Sequence, residues 1–121
     1  MTKTILFADD DPLMHLLYKR HLEQAGYQWI GATNGREALE AAAQQGPQLA
    51  VMDVVMPEMD GLSALVELKK TEATKAMPVI VMTSDPSYAQ RKREFTELGA
   101  AAFLTKPFSP AQLLEAVGRL V

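Results

Sequence analysis

Five short apolar runs, separated by longer stretches with helical periodicity, restrict what this chain can fold into. The apolar runs occupy residues 4–8, 29–32, 49–52, 79–82 and 102–105. Each has only four or five residues, which is too short for an ordinary helix and typical of a strand. The helical stretches occupy residues 12–25, 35–45, 62–71, 86–98 and 110–121. Strict alternation of five strands and five helices predicts a doubly wound α/β fold with a parallel sheet.

Residues that begin and end helices fall at the expected boundaries. Asp11 precedes Pro12 and Ser109 precedes Pro110, and each pair combines a capping side chain with a ring that suits the first helical turn. Glycines stand at positions 26, 46 and 99, where predicted helices end. The first, third and fourth strands are apolar almost throughout, which indicates strands that are covered on both faces of the sheet.

The composition limits the kind of protein this is. A chain of 121 residues with 48% hydrophobic residues accommodates one domain, which we expect to extend over residues 1–121 without an output domain. There is no cysteine, and the net charge of −3 argues against direct binding of nucleic acid. No apolar run approaches the roughly 20 residues needed to span a bilayer, and the N-terminus lacks a secretory signal. We therefore expect a cytoplasmic protein without membrane insertion.

Polar side chains collect where the predicted strands end. They are Asp9, Asp10 and Asp11 after the first strand, Asp53 after the third, Thr83 and Ser84 after the fourth, and Lys106 and Pro107 after the fifth. In an open parallel sheet, ligands bind beyond the carboxyl ends of the strands. These residues are therefore the candidate site.

Three of these carboxylates, on Asp9, Asp10 and Asp53, are expected to crowd together. Carboxylates so close to one another repel unless a cation or protons intervene. Mg²⁺ fits such a site well, because it binds a few carboxylate oxygens and keeps positions for water and phosphate oxygens. Lys106 adds positive charge for a phosphate, and the hydroxyl of Thr83 adds a hydrogen-bond donor. The residues therefore predict phosphate chemistry that depends on Mg²⁺.

Four segments at these strand ends carry a more specific pattern. Residues 5–12 read ILFADDDP, residues 51–61 read VMDVVMPEMDG, residues 79–84 read VIVMTS and residues 103–108 read FLTKPF. In this order they resemble the receiver domains of two-component response regulators, and the single-domain chemotaxis regulators have the most similar architecture. The resemblance extends over almost the whole chain. It implies a flavodoxin-like sheet with strand order 2-1-3-4-5, and a signalling switch rather than an enzyme.

The resemblance also implies a role for each site residue. Asp53 would accept a phosphoryl group from a phosphohistidine on a histidine kinase or phosphotransfer protein. Asp10 and Asp53 would bind Mg²⁺ directly, Asp9 would act through metal-bound water, and the backbone carbonyl of Val55 would complete the protein ligands. Lys106 would pair with the phosphoryl group. These roles suit phosphoryl transfer, which requires in-line positioning and neutralisation of charge.

In the family that this chain resembles, phosphorylation changes the positions of nearby residues and thereby alters a surface that binds a partner protein. The hydroxyl of Thr83 would move toward the phosphoryl group, and the ring of Phe103 would turn inward. The face formed by helix 86–98, strand 102–105 and helix 110–121 would then change its affinity for a downstream protein partner. The resemblance is compatible with a monomer or with a dimer that forms on phosphorylation.

Several positions depart from the family pattern or border the proposed phosphoryl group. Phe103 stands where many members have tyrosine, and Val55 stands where the chemotaxis regulator has asparagine. The side chains of Val55 and Asp85 are expected to affect the lifetime of the phosphorylated state. Ser84 and Pro107 are further site residues, and the peptide bond before Pro107 is cis in the family.

The residues leave two other functions open. Asp9-x-Asp11 after an apolar strand also resembles the nucleophile loop of haloacid-dehalogenase-type phosphatases, which would make Asp9 the nucleophile. The second alternative is a degenerate receiver that binds partners without carrying phosphate. His15 and His21 have no further metal-ligand residues nearby, and we interpret them as structural or surface residues.

Overall fold

A computed structural model of the protein describes residues 2–121. Within this range the elements are β1 (Thr4–Ala8), α1 (Pro12–Gln24), β2 (Gln28–Ala32), α2 (Gly35–Gln45), β3 (Leu49–Asp53), α3 (Gly61–Lys70), β4 (Val79–Thr83), α4 (Pro86–Ala89), α5 (Lys92–Glu97), β5 (Ala102–Thr105) and α6 (Pro110–Leu120). Strands and helices alternate as predicted, except that α4 and α5 follow one another. None of the helices in the described range is long and apolar enough to cross a membrane.

The five strands form one parallel sheet in the order β2-β1-β3-β4-β5. This order confirms the predicted doubly wound, flavodoxin-like fold. Strands β3 and β4 each extend one residue further than predicted, so that Asp53 and Thr83 are the last residues of their strands. The register pairs Asp53 with Met82 in the neighbouring strand. The two site residues therefore lie at the same edge of the sheet.

Both faces of the sheet are covered. On one face, Leu6 and Ala8 of β1 belong to a buried cluster that includes Phe95 of α5. On the other face, Ile5 and Phe7 of β1 belong to a cluster with residues of α1 and α6. Every residue of β3 and β4 is buried, as expected for central strands of a doubly covered sheet.

Side chains cap the N-termini of the helices that surround the site. The carboxylate of Asp11 accepts a hydrogen bond from the N–H of Leu13 at 2.9 Å and begins α1, as predicted. Ser109 begins α6 with a reciprocal capping box. Asp60 caps α3, which therefore begins at Gly61, one residue earlier than predicted.

The predicted helix over residues 86–98 is wrong, because the structure divides this segment into α4 and α5. The N–H of Arg91 donates to the carbonyl of Tyr88 at 2.9 Å, and this i to i−3 hydrogen bond interrupts the α-helical ladder. The guanidinium of Arg91 pairs with Glu94 and lies over the rings of Tyr88 and Phe95. No glycine or proline lies within residues 87–98, so the sequence pattern does not reveal the break.

Candidate functional site

Three carboxylates meet at the carboxyl edge of the sheet, as the strand ends predict. Oxygens of Asp9, Asp10 and Asp53 all lie within 4.8 Å of one another. Asp9 is fully buried and Asp53 is 6% exposed, whereas Asp10 is exposed. Two buried carboxylates and an exposed one share a small volume, which is costly unless positive charge is nearby.

Asp9 is fixed by hydrogen bonds on its backbone and on both carboxylate oxygens. Its N–H donates to the carbonyl of Ala32 at 3.0 Å. Its Oδ1 accepts from the N–H of Asp11 at 2.9 Å, and its Oδ2 accepts from Nζ of Lys106 at 2.7 Å. The position of this carboxylate is therefore set before any ligand binds.

Asp53 ends β3 with both carboxylate oxygens in hydrogen bonds. Its Oδ1 accepts from the N–H of Val55 at 3.0 Å, and its Oδ2 accepts from Nζ of Lys106 at 2.6 Å. Burial raises the pKa of Asp53, and the hydrogen bonds and positive charge only partly counter that effect. Gly61 packs so closely that a Cβ at this position would overlap the carbonyl oxygen of Asp53. Asp53 is therefore a partly desolvated carboxylate in a fixed position.

Lys106 supplies the positive charge at the site. Its side chain is 13% exposed, and its backbone N–H donates to the carbonyl of Thr83 at 2.7 Å. Burial alone lowers the pKa of Lys106, but hydrogen bonds to Asp53 and Asp9 and the charges of these residues outweigh burial and raise it. The ammonium therefore stays charged between the two carboxylates. The peptide bond between Lys106 and Pro107 is cis.

Thr83 ends β4 and is fully buried. Its hydroxyl oxygen accepts a hydrogen bond from the N–H of Asp85 at 3.0 Å. The carboxylate of Asp85 accepts from the N–H and the hydroxyl of Ser87, at 2.9 and 2.8 Å, and thereby caps α4. Ser84 is exposed. The effect of Asp85 on the lifetime of a phosphoryl group stays a prediction.

Phe103 lies in β5, partly buried against the core, with its ring centroid 5.6 Å from that of Phe95. It also lines a surface groove together with Lys92, Gln112 and Arg119. This groove therefore runs between α5, β5 and α6, which is the face predicted to contact a downstream partner. Phe103 connects that face to the core.

Two residues of α1 outside the predicted site, Tyr18 and His15, help to hold it. The hydroxyl of Tyr18 donates to the carbonyl of Phe108 at 2.6 Å, and this bond ties α1 to the loop that follows Lys106. Nε2 of His15 lies 2.6 Å from the carbonyl oxygen of Asp9. His15 and Tyr18 are three residues apart and so share one face of α1. The spacing shows that both residues lie on one face of α1, but the sequence does not show what that face contacts.

The donor set suits a hard divalent cation. Three carboxylates and one ammonium leave a formal excess of two negative charges, and Lys106 is the one cation in hydrogen-bond contact with Asp9 and Asp53 within residues 2–121. Mg²⁺ prefers carboxylate oxygens and retains several waters, and the exposed position of Asp10 leaves one side open to water. Softer metals prefer thiolate or imidazole ligands. The residues present therefore fit Mg²⁺.

Sequence comparison places the chain among signalling proteins of known type. Residues 5–118 match the family model of the response regulator receiver domain. The chain is 35% identical to the chemotaxis protein CheY of Thermotoga maritima, over 99% of this chain and 98% of that protein. It is 32% identical to the polar-differentiation response regulator DivK of Brucella ovis, over 97% of this chain and 94% of that protein.

Solved structures show the same fold. The chemotaxis response regulator CheY4 of Vibrio cholerae superposes with a TM-score of 0.91 at 30% identity, over 100% of both chains. The receiver domain of a sensor histidine kinase from Pseudomonas aeruginosa PAO1, solved with a magnesium ion in its active-site cleft, superposes with a TM-score of 0.88 at 28% identity, over 99% of this chain and 98% of that one. These similarities favour neither the phosphatase nor the degenerate receiver. Because the family match covers nearly the whole chain and the sheet has the predicted strand order, this protein belongs to the receiver domains of two-component response regulators, which act as signalling switches.

Proposed function

We propose that this receiver domain is switched by phosphorylation of Asp53, with Mg²⁺ bound beside it. The observation that most supports this proposal is the pair of hydrogen bonds that hold the Asp53 carboxylate. One oxygen is held by the N–H of Val55 and the other by the ammonium of Lys106. Asp9 and Asp10 lie close enough to complete a cation site at the same edge of the sheet. A nucleophile, a phosphate-binding cation and a metal site would thus stand together.

The proposed ligands of Mg²⁺ are those that the resemblance to receiver domains implies. Asp10 and Asp53 would bind the ion directly, together with the backbone carbonyl of Val55. Asp9, which is fully buried, would act through a metal-bound water. The bound ion would neutralise charge on the phosphoryl oxygens.

The proposed reaction moves a phosphoryl group from a phosphohistidine of a histidine kinase or phosphotransfer protein. An oxygen of Asp53 forms a bond to phosphorus while the nitrogen–phosphorus bond breaks and its electron pair returns to the donor histidine. Lys106, already 2.6 Å from that carboxylate, would then pair with a phosphoryl oxygen. Water later hydrolyses the acyl phosphate, which restores Asp53 and releases inorganic phosphate. Such a cycle is that of a switch, not of an enzyme with an external substrate.

The proposed readout begins at Thr83. Its hydroxyl oxygen now accepts the N–H of Asp85, and turning toward a phosphoryl group would draw the start of α4 with it. Phe103 would turn toward the space that Thr83 leaves, which would reshape the groove between α5, β5 and α6. A downstream protein partner would bind this face, to a monomer or to a dimer that forms on phosphorylation. We propose that this exchange takes place in the cytoplasm.

An apolar surface beside the site suits the protein that donates phosphate. Leu13 and Leu16 of α1 are 72% and 73% exposed, and Leu17 is 45% exposed. Leu17 also lines a mostly apolar cavity that reaches Lys106 and Pro107. Clustered exposed apolar side chains mark contact sites, and this cluster adjoins the proposed phosphoacceptor. We therefore propose that the histidine-bearing donor docks against α1, which would bring its phosphohistidine to Asp53.

The experiment that tests the proposed function is a measurement of intact-protein mass after mixing with acetyl phosphate. Wild type and Asp53→Asn are compared with and without Mg²⁺. We expect wild type with Mg²⁺ to gain the mass of one phosphoryl group, and Asp53→Asn to gain none. Asp11→Asn is the matched control, because it makes the same chemical change to an acid that caps α1.

Other outcomes would point to the alternatives. No gain in mass, with acetyl phosphate or with phosphorylated histidine kinases, would favour a module that only binds partners. Multiple turnover of a phosphomonoester that is lost in Asp9→Asn and kept in Asp53→Asn would favour the phosphatase. A Leu13→Ser, Leu16→Ser variant tests donor docking. It should react normally with acetyl phosphate and more slowly with a phosphorylated kinase.

A further inference from the structure

The peptide group between Asp9 and Asp10 is held by a side chain from the first turn of α1. Nε2 of His15 lies 2.6 Å from the carbonyl oxygen of Asp9. A carbonyl oxygen only accepts hydrogen bonds, so Nε2 must carry the proton in this contact. The N–H of Asp9 already donates to the carbonyl of Ala32. Both backbone polar groups of Asp9 are therefore fixed.

The ring of His15 is itself held in a slot. It meets the ring of Phe7 edge-on at a centroid distance of 5.4 Å and the ring of Trp29 edge-on at 5.5 Å. Gly31 leaves the slot open, because a Cβ there would lie 3.3 Å from Nδ1 of His15 and 3.1 Å from Nε1 of Trp29. Three neighbours therefore restrict the direction in which Nε2 points, as required of a group that positions another.

This hydrogen bond bears on Asp10 because the carbonyl of Asp9 and the N–H of Asp10 belong to one rigid peptide plane. The carboxylate of Asp10 is exposed, and within residues 2–121 no hydrogen bond to another side chain orients it. Its direction therefore depends on the backbone from which it projects. By contrast, the carboxylates of Asp9 and Asp53 are each held by two hydrogen bonds.

We propose that His15 is a positioning residue for Mg²⁺, which orients the Asp9–Asp10 peptide so that Asp10 faces the other two carboxylates. The inference rests on the proposed function, since it takes Asp10 to be a direct ligand. Loss of the hydrogen bond would let the peptide rotate, and the ion would then have to order Asp10 on binding. Hydrogen bonds beyond the direct ligands commonly change metal affinity by about tenfold or more.

The test compares two substitutions of His15 that differ in one property. His15→Gln and His15→Met both remove the ring and have similar length, but only glutamine retains a terminal N–H donor. The binding of Mg²⁺ to the intact chain is measured by isothermal titration calorimetry. We expect His15→Met to raise the dissociation constant about tenfold and His15→Gln to stay within about threefold of wild type. His21→Met, on the same helix, is the matched control and should bind like wild type.

A second measurement needs no substitution. In a nitrogen NMR titration of wild type with Mg²⁺, the Nε2 resonance of His15 should shift and that of His21 should not. The inference is overturned if His15→Met and His15→Gln bind Mg²⁺ equally well, or if the His15 resonance does not respond. If wild type itself binds no Mg²⁺, the proposed metal site fails and this inference fails with it. A difference in Mg²⁺ affinity between His15→Met and His15→Gln can arise only from the side chain at position 15, because the two variants are otherwise identical.

Discussion

Nζ of Lys106 lies 2.6 Å from Oδ2 of Asp53, although 53 residues separate the two in the chain. The same nitrogen lies 2.7 Å from Oδ2 of Asp9. One ammonium thus bridges two buried carboxylates, and no buried side-chain polar atom in residues 2–121 lacks a hydrogen-bond partner. The resting site is neutralised only in part, because Asp10 adds a third carboxylate.

Removal of the ammonium should destabilise the protein. Lys106→Met leaves the carboxylates of Asp9 and Asp53 buried without a cation, and we expect a loss of about 3 kcal/mol in the free energy of unfolding without Mg²⁺. Urea unfolding measures this loss. Lys70→Met is the control, because Lys70 forms only an exposed pair with Glu67 and should change little. Equal stability of the two variants would contradict the bridging role of Lys106.

Mg²⁺ should stabilise the folded protein through Asp10. At a concentration about 100 times its dissociation constant, a ligand of the folded state adds about 2.7 kcal/mol. We expect thermal unfolding to shift upward with Mg²⁺ in wild type and in Asp11→Asn, but far less in Asp10→Asn. The two substitutions make the same chemical change at adjacent residues, and Asn can still cap α1. An equal response of all three proteins would mean that Asp10 does not bind the ion.

The raised pKa of Asp53 predicts a pH dependence of stability with a definite sign. The folded protein holds this proton more tightly than the unfolded chain, whose carboxyl has an ordinary value of 3.8. The contribution of Asp53 to the free energy of unfolding is therefore greatest below pH 3.8. It falls as the pH rises through the pKa that Asp53 has in the folded protein. In metal-free buffer, Asp53→Asn should gain stability over wild type as pH rises through this window.

Asp85 provides a control for which the expected pH dependence of stability has the opposite sign. Hydrogen bonds from Ser87 lower the pKa of Asp85. Its contribution to the free energy of unfolding is therefore present above pH 3.8 and is lost as the pH falls through the pKa that Asp85 has in the folded protein. Wild type should therefore lose its advantage over Asp85→Asn at low pH. If the Asp53→Asn and Asp85→Asn differences changed with pH in the same direction, the assignment of the raised pKa to Asp53 would be wrong.

Gly61 should tolerate no side chain. A Cβ at Gly61 would overlap the carbonyl oxygen of Asp53 and would lie 2.9 Å from Cα of Val54. We expect Gly61→Ala to lower the free energy of unfolding by about 3 kcal/mol and to slow phosphorylation of Asp53. Gly118→Ala is the matched control, because nothing lies within 4 Å of its Cβ and alanine should stabilise α6 by about 0.5 kcal/mol. Chemical denaturation of both variants measures these changes in the free energy of unfolding.

Thr83 should be needed for readout but not for phosphorylation. Thr83→Ala removes the hydroxyl that holds the N–H of Asp85, whereas Thr83→Ser retains it. We expect both variants to gain a phosphoryl group from acetyl phosphate. NMR signals of the Phe103 ring should shift on phosphorylation in wild type and Thr83→Ser, and stay unchanged in Thr83→Ala. A shift of equal size in Thr83→Ala would exclude Thr83 from the proposed path.

Local patterns in the sequence were sufficient to predict the alternation of strands and helices outside residues 86–98. The length of each apolar run, the caps at Asp11 and Ser109 and the burial of the central strands are properties of neighbouring residues, so the sequence displays them directly. The order of strands in the sheet, predicted from the family resemblance, is confirmed. Because parallel strands end at one edge, the meeting of Asp9, Asp10 and Asp53 was also predictable.

The break at Arg91 is a local feature that the sequence pattern did not reveal, because Arg91 contacts Tyr88, Glu94 and Phe95 within four residues and no glycine or proline marks the position. Long-range contacts decided other features. The bridge from Lys106 to Asp9 and Asp53 requires distant parts of the chain to be folded against one another. The sequence alone determined which chemical groups reach the edge of the sheet, because helical and strand periodicity are local. Only the tertiary structure decided which of those groups hold one another, because a hydrogen bond depends on distances that residues far apart in the chain acquire on folding.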